Sequence, residues 1–190
     1  MSTTPLVSPS EYFARADAFS RTRTAGLVIG YWLAITVLGL VWRIGSDFGA
    51  DSVSITYLLQ TLEATLLYWV VPTAVLYGFG RALSADLEPA QTLSLAAWGL
   101  VPLLAGELVT NALLSVIVAL EIDLSGVPVD PDLWILAPLT LLACAWAAAI
   151  WRGGLWHGIG LDRSTATTTA LLAAGVCAAL LLFPMISVLI

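Results

Sequence analysis

The stretch from Leu93 to Leu120 constrains the fold more than any other part of the chain, because it is apolar almost throughout. As a straight helix it would reach roughly 42 Å at about 1.5 Å per residue, whereas the hydrocarbon core of a bilayer is about 30 Å thick. Only Glu107 and Asn111 would be strongly unfavourable in hydrocarbon. The stretch therefore predicts a membrane-spanning helix with a polar pair near its middle.

Four further segments are long and apolar enough to do the same, so the chain is predicted to be an all-α polytopic membrane protein with five transmembrane helices. The predicted spans cover residues 24–42, 55–79, 93–120, 133–151 and 168–190, in a single domain from residue 8 to residue 190. Asp162 is a candidate N-cap from which the last helix would begin earlier. Only 11% of the 190 residues are charged, so lipid is expected to cover much of the surface.

Residues 1–7 are predicted to be a disordered tail, followed by a short amphipathic interfacial helix. Ser8 fits the N-cap, Pro9 the first helical position and Glu11 the third position after the cap. Continued to about residue 19, the helix has one apolar face, formed by Tyr12, Phe13, Ala16 and Phe19. Because so short a helix is not stable alone in water, we expect it to lie on the membrane or against the bundle.

The arginines give the predicted orientation. The chain has no lysine, and one side of the predicted topology holds Arg15, Arg21, Arg23, Arg81, Arg152 and Arg163. The other side holds Arg43 together with several acidic loop residues. The positive-inside rule therefore predicts a multi-pass protein of the plasma membrane, with a cytoplasmic N-terminus and an extracytoplasmic C-terminus. Tryptophans are enriched at membrane–water interfaces, so Trp98, Trp151 and Trp156 are predicted to belong to the aromatic belt of the cytoplasmic boundary.

Composition and missing motifs exclude several function classes. A net charge of −6 argues against a nucleic-acid partner, and this acidity would suit a protein of a high-salt organism. Cys144 and Cys177 lie in apolar runs, so both are predicted to act as small apolar side chains in helix packing. The single histidine, His157, cannot build a metal site by itself and predicts an interfacial anchor with Trp156. Without catalytic or phosphate-binding motifs, the chain is predicted to be a non-enzyme with no metal and no cofactor.

Glu63, Glu107 and Asn111 form a candidate intramembrane polar site. Counting residues puts Glu63 and Glu107 at similar depth in neighbouring helices, and two close carboxylates in a low dielectric cannot both ionise at low cost. One of them is then expected to hold a proton. Three interpretations remain open for Glu107: a hydrogen bond to Asn111 or to a backbone carbonyl, a ligand or ion site, and a tolerated boundary residue.

Prolines and glycines suggest how the helices bend and pack. Pro72 and Pro102 each remove a backbone hydrogen bond, so we expect helix kinks there, and paired interrupted helices also occur at transport sites. Gly26 and Gly30 form a small-xxx-small pair, which lets another helix approach closely.

Three segments resemble one family. They are 7–13 (VSPSEYF), 97–104 (AWGLVPLL) and 155–161 (LWHGIGL). They are similar to the opening, the third span and the link between spans four and five of prokaryotic Yip1-domain proteins. The motif residues are Pro9, Phe13, Trp98, Gly99 and Pro102, although Trp98 stands where the family often has Gly followed by Tyr.

The resemblance covers about residues 7–190 and implies five spans with a cytoplasmic N-terminus. Eukaryotic members act in vesicle traffic and contact prenylated small GTPases, but the acidic motif tied to that role is not recognisable here, so small-GTPase binding is not supported. We therefore predict a non-enzymatic membrane scaffold or organiser that contacts the lipid bilayer and a membrane-protein partner or a second copy. The alternative is a small transporter or channel component that uses Glu63, Glu107 and Asn111, and a membrane-embedded enzyme is a third hypothesis.

Overall fold

The computed structural model describes residues 4–15, 18–44, 54–83, 87–122 and 131–186. These residues form helices and their connections: α1 (Pro9–Phe13), α2 (Arg21–Ile44), α3 (Ile55–Ala82), α4 (Pro89–Ala119), α5 (Pro131–Gly153), a π-helical turn (Gly154–Gly158) and α6 (Arg163–Ile186). Helices α2 to α6 are long and apolar enough to cross a membrane. The predicted all-α fold with five transmembrane helices is confirmed, and the chain is a multi-pass membrane protein.

Helix α4 lies at the centre of the bundle. It contacts α2, α3 and α5, while α6 packs against α3 and α5. Helices α4 and α5 are antiparallel, since Gly99 faces Trp151 and Gly106, about two turns further on, faces Ala143. A Cβ atom on Gly106 would lie 3.1 Å from the Cβ of Ala143. Small residues at this contact therefore bring the two backbones close together.

Hydroxyl and indole groups hold α2 against α3. Trp32 Nε1 donates a hydrogen bond of 3.1 Å to Thr61 Oγ1, and Thr36 Oγ1 lies 3.0 Å from the same hydroxyl. The Tyr57 hydroxyl donates to the Thr36 carbonyl at 3.2 Å. Such bonds between transmembrane helices contribute about 0.6 to 2 kcal/mol each.

The end of the bundle at which α2, α4 and α6 begin is called the arginine-rich end, because it holds Arg21, Arg81, Arg152 and Arg163. Helix α6 begins there at Arg163, earlier than residue 168, and this is the start that Asp162 favours. Asp162 Oδ1 accepts hydrogen bonds from the backbone N–H of Ser164 at 2.9 Å and of Thr165 at 3.1 Å. The Thr165 hydroxyl and these N–H groups hold the pKa of the Asp162 carboxyl below its usual range.

The N-terminal helix is shorter than the predicted one. It ends at Phe13 instead of near Phe19, because the chain turns back after Ala14. The phenyl rings of Phe13 and Phe19 then stack, with centroids 5.6 Å apart. Ser8 precedes the helix, but its side chain makes no capping hydrogen bond. Ala16, predicted on the same face, lies outside the described residues.

Residues 4–7, part of the predicted tail, form a turn in the structure. The Ser8 N–H donates to the Thr4 carbonyl at 3.1 Å, and Trp146 Nε1 of α5 donates to the Leu6 carbonyl at 3.1 Å. Pro5 is buried beside them. Residues 1–3 of the predicted tail lie outside the described part of the chain.

Candidate functional site

A cavity of about 250 Å³ lies between α2, α3 and α4. Its polar lining comes from Glu107 and Asn111 of α4, Tyr31 of α2 and Tyr68 of α3. On its other side Glu107 borders a void of about 10 Å³, about the size of one water molecule. Among the described residues, two phenols and an amide thus share the cavity with this carboxyl, and no second carboxyl does.

Asn111 interacts with the backbone of Glu107 and not with its carboxyl group. Asn111 Nδ2 donates a hydrogen bond of 2.8 Å to the Glu107 carbonyl oxygen one turn earlier. The Asn111 carbonyl in turn accepts from Ser115 Oγ at 2.8 Å. The polar side chains of this part of α4 are therefore tied to their own helix, and the Glu107 carboxyl faces the cavity.

Glu63 lies apart from Glu107, and the predicted carboxylate pair is not formed. Glu63 is exposed on α3, whereas Tyr68 is the α3 residue that lines the cavity. The two residues are five positions apart, which is a rotation of about 140° around the helix axis. The two residues were predicted to lie at similar depth, but Glu63 is on a face of α3 that does not line the cavity of Glu107.

Pro72 and Pro102 lie inside unbroken helices. Helix α3 continues through Pro72 and α4 through Pro102, and both side chains are buried. The described residues contain no unwound segment at either proline, so the interrupted-helix geometry of a transport site is absent there. A bend without interruption stays a prediction for both.

The three family-like segments meet at the arginine-rich end. The Tyr12 ring contacts the edge of Trp98 with centroids 5.3 Å apart, and Arg23 Nη1 donates to the Tyr12 hydroxyl at 3.0 Å. Phe13 is only 1% exposed and packs between Tyr12 and Phe19. Residues from the opening segment and from α4 therefore share one packed cluster.

Glycines let the α5–α6 connection join this cluster. Gly153 lies against Pro9, so that a Cβ atom there would be 3.3 Å from the Pro9 carbonyl carbon. A Cβ atom on Gly158 would lie 2.7 Å from the Phe19 ring and 3.2 Å from the Cβ of Phe13. Larger residues at either position would push the N-terminal segment away from the bundle.

A family model for the Yip1 domain matches residues 5–186. The chain belongs to the Yip1 domain family. This Yip1 domain includes α1 and all five membrane-crossing helices, so the predicted resemblance is confirmed over nearly the whole chain. No curated protein and no solved structure matches the chain.

Within this Yip1 domain the motif residues make packing contacts. Gly99 leaves the space that the Trp151 indole occupies, because a Cβ atom at position 99 would lie 2.7 Å from Trp151 Nε1. Trp151 is 1% exposed, so its assignment to the aromatic belt was wrong. Pro102 is buried in α4, near Trp98 and Gly99 in sequence. Cys144 and Cys177 are free and buried, which fits their predicted packing role.

The sequence did not predict that the phenols of Tyr31 and Tyr68 line the cavity. Tyr31 follows Gly30 directly, and a tyrosine inside a span is the signal that could have identified it, since its hydroxyl needs a partner away from water. Among the described residues, no three of the His, Cys, Asp and Glu side chains converge as metal ligands would.

Substitution of Gly99 by Ala should destabilise the domain, because the added methyl group collides with the buried Trp151 ring. We expect a loss of about 1 to 3 kcal/mol in the free energy of unfolding. Gly175→Ala is the matched control: among the described residues, no atom outside its own stretch of helix lies within 4 Å of its added Cβ, and alanine favours a helix over glycine by about 1 kcal/mol. Thermal unfolding in mild detergent should show a lower midpoint for Gly99→Ala only, and equal midpoints for both variants would contradict the contact.

Proposed function

We propose that this Yip1 domain is a non-enzymatic membrane scaffold or organiser that acts through helix–helix contacts and contacts with the bilayer. The supporting observation is an open groove of about 150 Å³ between α2 and α4. Gly26 and Gly30 line it, and no other element among the described residues has an atom within 4 Å of where a Cβ would lie on either glycine. In the described part of the chain, no helix therefore packs against this small-xxx-small surface.

A transmembrane helix fits the chemistry of this groove. Apart from Tyr31, the remaining lining is aliphatic: Leu27, Leu100, Val101 and Leu104. Paired glycines allow two helix backbones to approach, and packing of this kind drives helix association in lipid. Because no helix that the structure describes fills the groove, we propose that a helix of a membrane-protein partner or of a second copy does so.

The proposed orientation follows the arginines. The arginine-rich end would face the cytoplasm and the opposite end the outside of the plasma membrane. Nucleic acid and small GTPases are not partners in this proposal.

Filling the groove should weaken the association. We expect Gly26→Leu/Gly30→Leu to lower recovery of the partner, or cross-linking of two copies in native membranes, by about tenfold or more, since 1.4 kcal/mol of lost packing corresponds to a factor of ten. Gly175→Leu is the control, because Gly175 is also exposed on a helix with open space around it. Quantitative mass spectrometry of proteins copurified in mild detergent makes the measurement. Equal recovery from both variants would contradict the groove as the contact surface.

The cavity at Glu107 favours a second candidate function, a component of a small transporter or channel. A carboxyl, an amide and two phenols at bilayer depth are typical of ion and proton pathways. The exposed position of Glu63 and the unbroken helices at Pro72 and Pro102 weaken this hypothesis. Five helices would also need a second copy or a partner to enclose a pathway.

Flux measurements on reconstituted liposomes separate the two functions. For a scaffold we expect the purified wild-type protein to give the same proton and ion flux as empty liposomes, and Glu107→Gln to leave partner recovery unchanged. Glu63→Gln is the control, because Glu63 is exposed and lies outside the cavity. Wild-type flux that disappears in Glu107→Gln and persists in Glu63→Gln would contradict the scaffold and establish transport.

A further inference from the structure

Two arginines at the arginine-rich end converge on one aromatic ring. The guanidinium carbons of Arg152 and Arg163 each lie 5.5 Å from the centroid of the Trp156 ring, so they are no more than twice that distance apart. Arg152 belongs to the last turn of α5, Trp156 to the π-helical turn and Arg163 to the first turn of α6. The cation–π contacts fix both positive charges beside the same indole.

No carboxylate in the described part of the chain pairs with these two guanidinium groups. The nearest acidic residue in sequence, Asp162, uses its carboxylate as the cap of α6. Arg152 Nε is shielded from solvent and has no hydrogen-bond acceptor among the described residues. Two positive charges beside one indole repel each other, and an anion in the groove that both arginines line would reduce this repulsion and accept hydrogen bonds from their guanidinium groups.

The groove beside these arginines has the donors that an anion needs. It has a volume of about 600 Å³ and is lined by Arg152, Arg163, Ser164, Thr167 and Thr168. Guanidinium groups bind phosphate oxygens through paired N–H groups, and hydroxyls can add further hydrogen bonds. The first turn of α6 adds positive potential, although Asp162 already occupies its capping position.

The position of the groove indicates where the anion comes from. It lies where α5 and its π-helical turn end and α6 begins, at the boundary of two membrane-crossing helices. One turn further along α6, Leu171 and Leu172 follow Thr167 and Thr168 on the same face and are 61% and 39% exposed. A molecule with its phosphate at the arginines could therefore lay an acyl chain along these leucines.

We propose that Arg152 and Arg163 bind the phosphate of an anionic membrane lipid in the groove between the π-helical turn and α6. Basic pockets between transmembrane helices bind lipid headgroups through the same combination of charge and depth. This site lies on α5 and α6, so it does not depend on the proposed helix-binding groove between α2 and α4.

Native mass spectrometry of the full chain in mild detergent, with equal amounts of phosphatidylglycerol and phosphatidylcholine added, tests the site. We expect the wild-type protein to retain phosphatidylglycerol preferentially. Arg152→Gln/Arg163→Gln should lower that retention by about tenfold or more. Arg21→Gln/Arg81→Gln is the matched control, because it removes the same charge at the same end and should retain the lipid as the wild type does.

A second variant keeps the test valid if the double arginine variant does not fold. Thr168→Glu adds a negative charge to an exposed position in the groove and should also weaken phosphatidylglycerol retention. Millimolar inorganic phosphate distinguishes a lipid from a free phosphate: it should not displace the bound lipid. Equal retention in all proteins would overturn the site, and binding of inorganic phosphate with no retention of phosphatidylglycerol would overturn its assignment to a lipid.

Discussion

The close approach of α4 to α5 at Gly99 determines the geometry of the arginine-rich end. The Trp151 indole fills the space that a side chain at position 99 would need, and Gly154 lies against Leu95 one turn further on. This brings the π-helical turn over the start of α4, where Pro9 and Phe13 close onto it. Since lipid is as apolar as the helices, these helix contacts are stabilised by close packing and not by the hydrophobic effect.

Apart from the cavity at Glu107, the described part of the chain has two open grooves of different chemistry. The groove between α2 and α4 is apolar and lined by glycines, which is typical of a surface that binds another helix. The groove beside Arg152 and Arg163 is cationic and lies where one membrane-crossing helix ends and the next begins. In our proposals the first surface would bind a helix of a partner and the second the phosphate of an anionic lipid.

The sequence predicts the helices well, because a long apolar run can satisfy its backbone in hydrocarbon only as a helix. It also predicts the start of α6 through Asp162. The rotation of each helix about its axis is harder to predict. Counting residues placed Glu63 at the depth of Glu107, but it did not predict that Glu63 lies on an exposed face of α3. The i, i+4 spacing of Arg152 and Trp156 is visible in the sequence, whereas the approach of Arg163 depends on the π-helical turn.

Amide hydrogen exchange of the full chain in lipid nanodiscs tests most directly whether the N-terminal segment is part of the packed domain. A five-residue helix such as α1 is not stable by itself, so protection of the Tyr12 and Ala14 amides must come from docking. We predict exchange about a hundredfold or more slower than in a free peptide, similar to that of Ile159 and Leu161 in the α5–α6 connection. Exchange of Tyr12 and Ala14 at the free-peptide rate would contradict the packed cluster on which the fold of this end depends.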